Sequence, residues 1–242
     1  MADYAVNYNG TLLQQAVPGA QVTDIVVQPI PILFTKLDRV ADDGNLPVRR
    51  RLNERTVQID VELPLNPKIA QFTENVRKLR AWAESDVELP LILPDYPGKY
   101  LNSVLTAIDN ISINEWFKPV KMTFTAFNEP FFQSEEESTG TVGAAFIVSG
   151  DIPARPKITH TITSPLTNPQ WTLAPGYVIS LSGTYTSGTI VIDTQHGYVS
   201  KDGESLMPYL NPASRFYKFK KGGYVIGGPS GGTISWRERW RD

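Results

Sequence analysis

Apolar and polar positions alternate most cleanly between Thr56 and Leu63. Val57, Ile59, Val61 and Leu63 hold one phase, and Thr56, Gln58, Asp60 and Glu62 hold the other. A period of two over that length predicts a strand with one face in a core and the other toward solvent. Val120, Met122, Phe124 and Ala126 alternate with Lys121, Thr123 and Thr125 in the same way. Shorter apolar, β-branched runs predict further strands at Val22 to Val27, Ile30 to Phe34, Leu89 to Leu93, Leu101 to Ile108 and Ile111 to Trp116. Pro29 and Pro31 restrict pairing in the first two, and Asp109-Asn110 supplies a turn between the last two.

One segment switches to a helical period. Asn66 suits an N-cap and Pro67 the first helical position, and Ile69, Phe72, Val76, Leu79 and Ala83 then recur with Trp82 beside them. The predicted helix covers about 67–84, a rod of roughly 27 Å. Glu74 and Lys78 stand at the spacing of a favourable pair. Burying its large apolar side chains is worth roughly 6 to 12 kcal/mol before chain entropy, so the helix is expected to pack on a sheet.

Between the early strands, Lys36 to Arg55 is polar and charged. It carries the turn signal Asp42-Asp43-Gly44-Asn45, then Arg49-Arg50-Arg51 and Glu54. Too few apolar residues occur here to anchor the stretch, which predicts a projecting hairpin or loop over about 36–55. The arginines could meet nucleic acid, but Asp38, Asp42, Asp43 and Glu54 dilute them and no aromatics are interleaved for stacking. A mixed-sign arm that docks on a neighbouring subunit is the preferred reading.

Ser134 to Gly143 is acidic, small and polar, and reads as a solvated linker. Beyond it lie short strands at Lys157 to Thr163, Tyr177 to Ser182, Thr189 to Asp193, Gly223 to Ile226 and Thr233 to Trp240, separated by glycine turns. That spacing predicts a small antiparallel sandwich. The expected organisation is a mainly β chain with an N-terminal domain at 1–133, a linker at 134–143 and a C-terminal domain at 144–242.

Composition narrows the chemistry. The 242 residues include no cysteine, which excludes disulfides, thiolate zinc sites and a cysteine nucleophile. The formal net charge of −2 gives no global attraction to nucleic acid. No apolar run reaches the eighteen or so residues that span a bilayer. Met1-Ala2-Asp3-Tyr4 shows no basic-then-apolar secretion pattern. The two histidines, His160 among isoleucines and His196 before a glycine, lack the spacing of a metal site. No Gly-x-Ser-x-Gly elbow occurs, and the glycine-rich Gly222 to Gly232 runs into a strand rather than a phosphate-binding helix. Paired-carboxylate catalysis stays open, because its spacing is set by the fold. Trp171, Trp236 and Trp240 could form a sugar-stacking platform, the basis of an alternative reading as a lectin-like adhesion module; packing in the sandwich core is the competing and preferred role.

A set of motifs runs in a fixed order along the chain. Tyr8-Asn9-Gly10 is followed by Arg55 to Leu63, then Asp95-Tyr96-Pro97-Gly98-Lys99-Tyr100, then Phe124 to Phe132. Pro156-Lys157-Ile158, Ile190 to Asp193 and Trp236-Arg237-Glu238-Arg239-Trp240 follow. In that order the chain resembles the distal tail proteins of long-tailed (siphovirus) bacteriophages. The resemblance implies an N-terminal β-sandwich with one helix and a protruding belt, for which 36–55 is the candidate, and a galectin-like C-terminal sandwich. It implies a homo-hexameric ring at the virion tail tip, assembled in the host bacterial cytoplasm, with DNA passing through the lumen unbound. The ring would join the tail tube protein to the tail-associated lysin or tail-fibre hub and, in some phages, to receptor-binding proteins. The plain form without an inserted carbohydrate-binding domain is implied, with no enzyme activity, cofactor or metal.

Overall fold

The structure, a computed structural model, describes residues 5–38, 45–64, 69–109 and 119–241, with backbone alone at 34–38, 45–51 and 69. The Asn66-Pro67 cap, the Ile111 to Trp116 run, Asp42 and Asp43 lie outside the described residues. The chain divides into two units, Met1–Phe132 with Arg241–Asp242, and Gln133–Trp240.

The first unit contains β1 (Asn7–Tyr8), β2 (Thr11–Leu12), α1 (Leu13–Ala16), β3 (Gln21–Val27), β4 (Ile32–Asp38), β5 (Asn45–Leu52), β6 (Arg55–Glu62), α2 (Ile69–Ala83), β7 (Leu89–Ile92), β8 (Lys99–Ile108) and β9 (Val120–Ala126). Seven of these strands form one antiparallel path in the order β2-β1-β7-β8-β9-β6-β3. The alternation read in the sequence sets its centre. Val57, Ile59 and Val61 of β6 are fully buried and lie opposite Phe124, Met122 and Val120 of β9. On the other side of β6, Val27 and Ile25 pair with Val57 and Ile59. Cross-strand apolar pairs of this kind fix the register, because a one-residue slip would turn every one of them outward.

Helix α2 buries Phe72, Leu79 and Ala83 in the same core, with Val76 and Trp82 partly covered. Trp82 and Phe124 both pack around Tyr8, with ring centroids 5.8 and 5.1 Å from it. The Trp82 indole N–H donates to the Thr11 carbonyl at 2.9 Å, and the Tyr8 hydroxyl to the Ser103 carbonyl at 3.1 Å. Burial raises the Tyr8 pKa. Two details differ from the sequence expectation. Glu74 is gripped by Arg77, at 2.8 and 2.7 Å, because the planar guanidinium one turn away presents a two-pronged donor that a lysine cannot match. The short helix α1 carries too few residues for a period to be read.

The second unit contains β10 (Phe132–Ser134, which begins at the last residue of the first unit), β11 (Ser138–Thr141), β12 (Ala145–Val148), β13 (Lys157–Thr161), β14 (Leu166–Thr167), β15 (Gln170–Ala174), β16 (Tyr177–Ser180), β17 (Thr184–Tyr185), β18 (Thr189–Asp193), β19 (Tyr198–Lys201), β20 (Glu204–Ser205), β21 (Gly222–Val225), β22 (Gly232–Trp236) and β23 (Arg239–Trp240). A six-stranded antiparallel sheet runs β11-β22-β13-β18-β19-β20, and two-stranded ribbons β12-β21, β14-β17 and β15-β16 complete the unit. Ile192, Ile158 and Ile234 lie side by side across β18, β13 and β22, all fully buried. Trp171, Phe146 and Phe219 fill the core beside them.

The supposed linker at 134–143 is corrected here. Ser138–Thr141 pairs residue for residue with Trp236–Thr233 at the sheet edge. The segment has no large apolar residue, but an edge strand is held by its backbone, and threonine and serine pair well there. The predicted single strand Thr233 to Trp240 is also interrupted, at Arg237-Glu238.

Candidate assembly surface

Strands β4 and β5 pair only with each other among the described residues. They form an antiparallel ribbon whose register runs from Ile32 opposite Leu52 to Asp38 opposite Asn45, with an irregularity between Thr35 and Lys36. Two backbone bonds hold its base, from Gln28 N–H to the Thr56 carbonyl and from Asn53 N–H to the Pro31 carbonyl, each 2.9 Å. The ribbon thus joins the sheet through the two ends of β3 and β6. Arg49, Arg50 and Arg51 stand in β5 opposite Thr35, Phe34 and Leu33. Glu54 is exposed just past the ribbon. At the base, Val26, Ile32 and Leu33 are 38, 44 and 39 % exposed. The structure therefore gathers the arginines and Glu54 on or beside one ribbon. An exposed apolar base with a charged arm is a combination suited to a protein partner.

The two halves of the most distinctive motif meet in one cluster. The Tyr96-Pro97-Gly98-Lys99 turn is closed by the Lys99 N–H to the Tyr96 carbonyl at 3.1 Å, and Gly98 takes φ +71, the conformation a type II turn demands at that position. Tyr96 then stacks on Phe132, centroids 4.2 Å apart and 15° from parallel. Arg55, 1 % exposed, lies with its guanidinium carbon 5.1 Å from the Phe132 ring centre and donates to the Arg241 carbonyl. A buried arginine in phase with Val57 and Ile59 is invisible to a hydrophobic-period reading. A structural partner explains it: the guanidinium ties the returning end of the chain into the first unit.

The tryptophan platform falls away. Trp171 is fully buried and Trp236 is 4 % exposed; Trp240 alone is half-buried. A sugar face needs an open ring face, and the first two have none. Instead Trp236 donates its indole N–H to Glu238 at 2.8 Å. The other carboxylate oxygen of Glu238 accepts the Ser149 and Gly150 N–H groups at 2.9 and 2.6 Å. The Trp-Arg-Glu-Arg-Trp motif is thus a clasp inside the second unit. It is closed further by the Arg239 guanidinium on the Pro153 carbonyl at 3.2 Å.

The histidines are structural as well. His160 is 2 % exposed, with Ile158 and Ile162 two residues to either side, and burial lowers its pKa. Among the described residues its Nδ1 has no hydrogen-bond partner. His196 is exposed and bonds Asp193 through Nδ1 at 2.8 Å. Burial pushes the Asp193 carboxyl up, but the His196 ring and the backbone N–H groups of His196 and Gln195 outweigh it and hold the pKa low. The glycine-rich stretch serves close packing: a Cβ on Gly228 would lie 2.7 Å from Trp171 Cδ1. Among the described residues no group of three potential metal ligands occurs. A groove of about 430 Å³ runs along α2, lined by Tyr8, Thr11, Lys78, Trp82 and Glu84.

The fold and this surface define a two-unit, mainly β protein whose second unit is a known type. Residues 149–240 match the family model described as siphovirus-type tail component, C-terminal domain. The sequence matches no curated protein. Among solved structures, the chain is similar to SPP1 Dit, described as a paradigm of the hub adsorption apparatus in phages infecting Gram-positive hosts. That likeness has a TM-score of 0.81 at 17 % identity and covers 98 % of each chain. It is also similar to a chain of the phage P2 baseplate in its activated conformation with calcium, with a TM-score of 0.54 at 9 % identity over 97 % of each chain. The C-terminal match gives the second unit its type, and the full-length likeness gives the whole chain a Dit-like fold.

Proposed function

We propose that this chain is the hub ring of a siphovirus tail tip. Six copies encircle the DNA channel through residues 1–133, with the β4–β5 ribbon as the belt that grips the next copy. The ring joins the tail tube protein above to the lysin or fibre hub below and, where present, to receptor-binding proteins. It is assembled in the host cytoplasm and acts by shape and association rather than by catalysis. A ring needs a heterologous interface, one surface meeting a different one on the next copy, and a charged arm of both signs sets its register. A net-negative chain suits a channel that passes DNA without trapping phosphate. The observation that carries this reading is the likeness to a hub protein over nearly the whole of both chains.

The test is charge reversal on the belt. Changing Arg49, Arg50 and Arg51 together to Glu is expected to leave circular dichroism unchanged while shifting the mass from light scattering toward the monomer. A triple variant with an undiminished ring rejects the belt assignment.

A further inference from the structure

The second unit carries two opposite charge blocks that its own fold leaves unmatched. The first is Glu135-Glu136-Glu137, all exposed in the bend between β10 and β11. The bend is held at both ends. Arg237 donates to the Ser134 and Glu135 carbonyls at 2.8 and 2.5 Å, and Ser138 pairs with Trp236. The run is therefore a short fixed turn that presents three carboxylates, with one guanidinium beneath it.

The second block lies in a long stretch without acid. From Ser205 to Arg237 there is no Asp or Glu in a chain whose net charge is −2. Within that stretch Lys218, Lys220 and Lys221 are exposed. Phe219 between them is fully buried, and its backbone pairs in both directions with Ala154, at 2.7 and 2.9 Å. In an extended segment a buried central residue turns both neighbours outward together, so Lys218 and Lys220 project from the same face. None of the three lysines and none of the three glutamates has an ion-pair partner among the described residues.

We propose that these blocks meet between copies: the Glu135–Glu137 turn of one chain docks on the Lys218–Lys221 strip of the next. The occupant is a second copy because the complementary charge stands on the same unit and the two blocks form no ion pair with each other within it. Such a contact is heterologous, as a closed ring requires. Exposed pairs are individually weak and screened by salt, so this contact orders neighbouring second units and speeds their docking rather than driving association. It rests on the hub reading but is separate from the belt, and a ring could form without it.

The test mixes ¹⁵N-labelled and unlabelled protein, applies a zero-length carbodiimide cross-linker, and reads isotope-mixed peptides by mass spectrometry. The expected product joins the 135–137 segment of one copy to the 218–221 segment of another, and its yield falls severalfold between low and high salt. Two charge-reversed chains, one with the three glutamates changed to lysine and one with the three lysines changed to glutamate, are each expected to associate at least several-fold more slowly at low salt. Mixing the two is expected to restore the association rate, since each then offers the complement of the other. Absence of the mixed peptide, links to other segments in its place, or failure of the mixture to recover overturns the proposal. A six-fold ring seen in the same sample would leave the hub reading standing when this contact fails.

Discussion

Replacing Glu238 by alanine removes the acceptor for three donors at once, two of them buried. They are the Ser149 and Gly150 N–H groups at 2.9 and 2.6 Å and the Trp236 indole N–H at 2.8 Å. Glu238 is 7 % exposed, so water reaches the site poorly. An orphaned buried donor costs about 1 to 3 kcal/mol, and the two buried ones with partial relaxation give about 2 to 4 kcal/mol. Against the roughly 5 to 15 kcal/mol that holds a typical domain, that is a large fraction. At roughly 4 °C per kcal/mol for a unit of this size, the midpoint should fall about 8 to 16 °C. The substitution Glu238→Gln should be milder but still destabilising, because the new amide NH₂ must face either the indole or the two backbone donors. The assay is urea unfolding followed at the Trp236 indole resonance, which reports the second unit alone. A loss below about 1 kcal/mol for the alanine variant would show that the clasp is not what closes this unit.

Two further outcomes follow from the core of the second unit. Trp171→Ala should cost about 3 to 5 kcal/mol by opening a cavity, while Trp171→Phe should cost far less because the indole nitrogen has no partner to lose; chemical denaturation measures both, and reduced glycan binding without lost stability would revive the platform. Burial holds the folded His160 pKa below the unfolded value near 6.5, so the unfolded chain binds the proton first as pH falls. The stability of the second unit should therefore be complete above about pH 6.5 and decline below it, a slope that His160→Gln should flatten in urea titrations at several pH values.

The sequence exposes those parts of the fold in which a period continues long enough to be unambiguous. Strand β6 and helix α2 are legible because each buries a face with its own spacing. Strand β11 is not, since an edge held by backbone pairing has no apolar signature. Arg55 and Glu238 escape a sequence reading for a related reason: they are charged residues buried by partners about 186 and about 90 positions away in the chain, and no local pattern announces such pairs. The motif at Tyr96 points to the right place without showing why. The structure supplies the reason in its stack on Phe132 beside Arg55. Aromatic residues mislead in the opposite direction, because a tryptophan that packs a core and one that holds a sugar read alike until burial is known.

Negative-stain microscopy of the purified chain tests the central claim most directly. Six-fold rings with an open centre are the predicted result, and class averages showing only solitary particles without a ring at every concentration would contradict it.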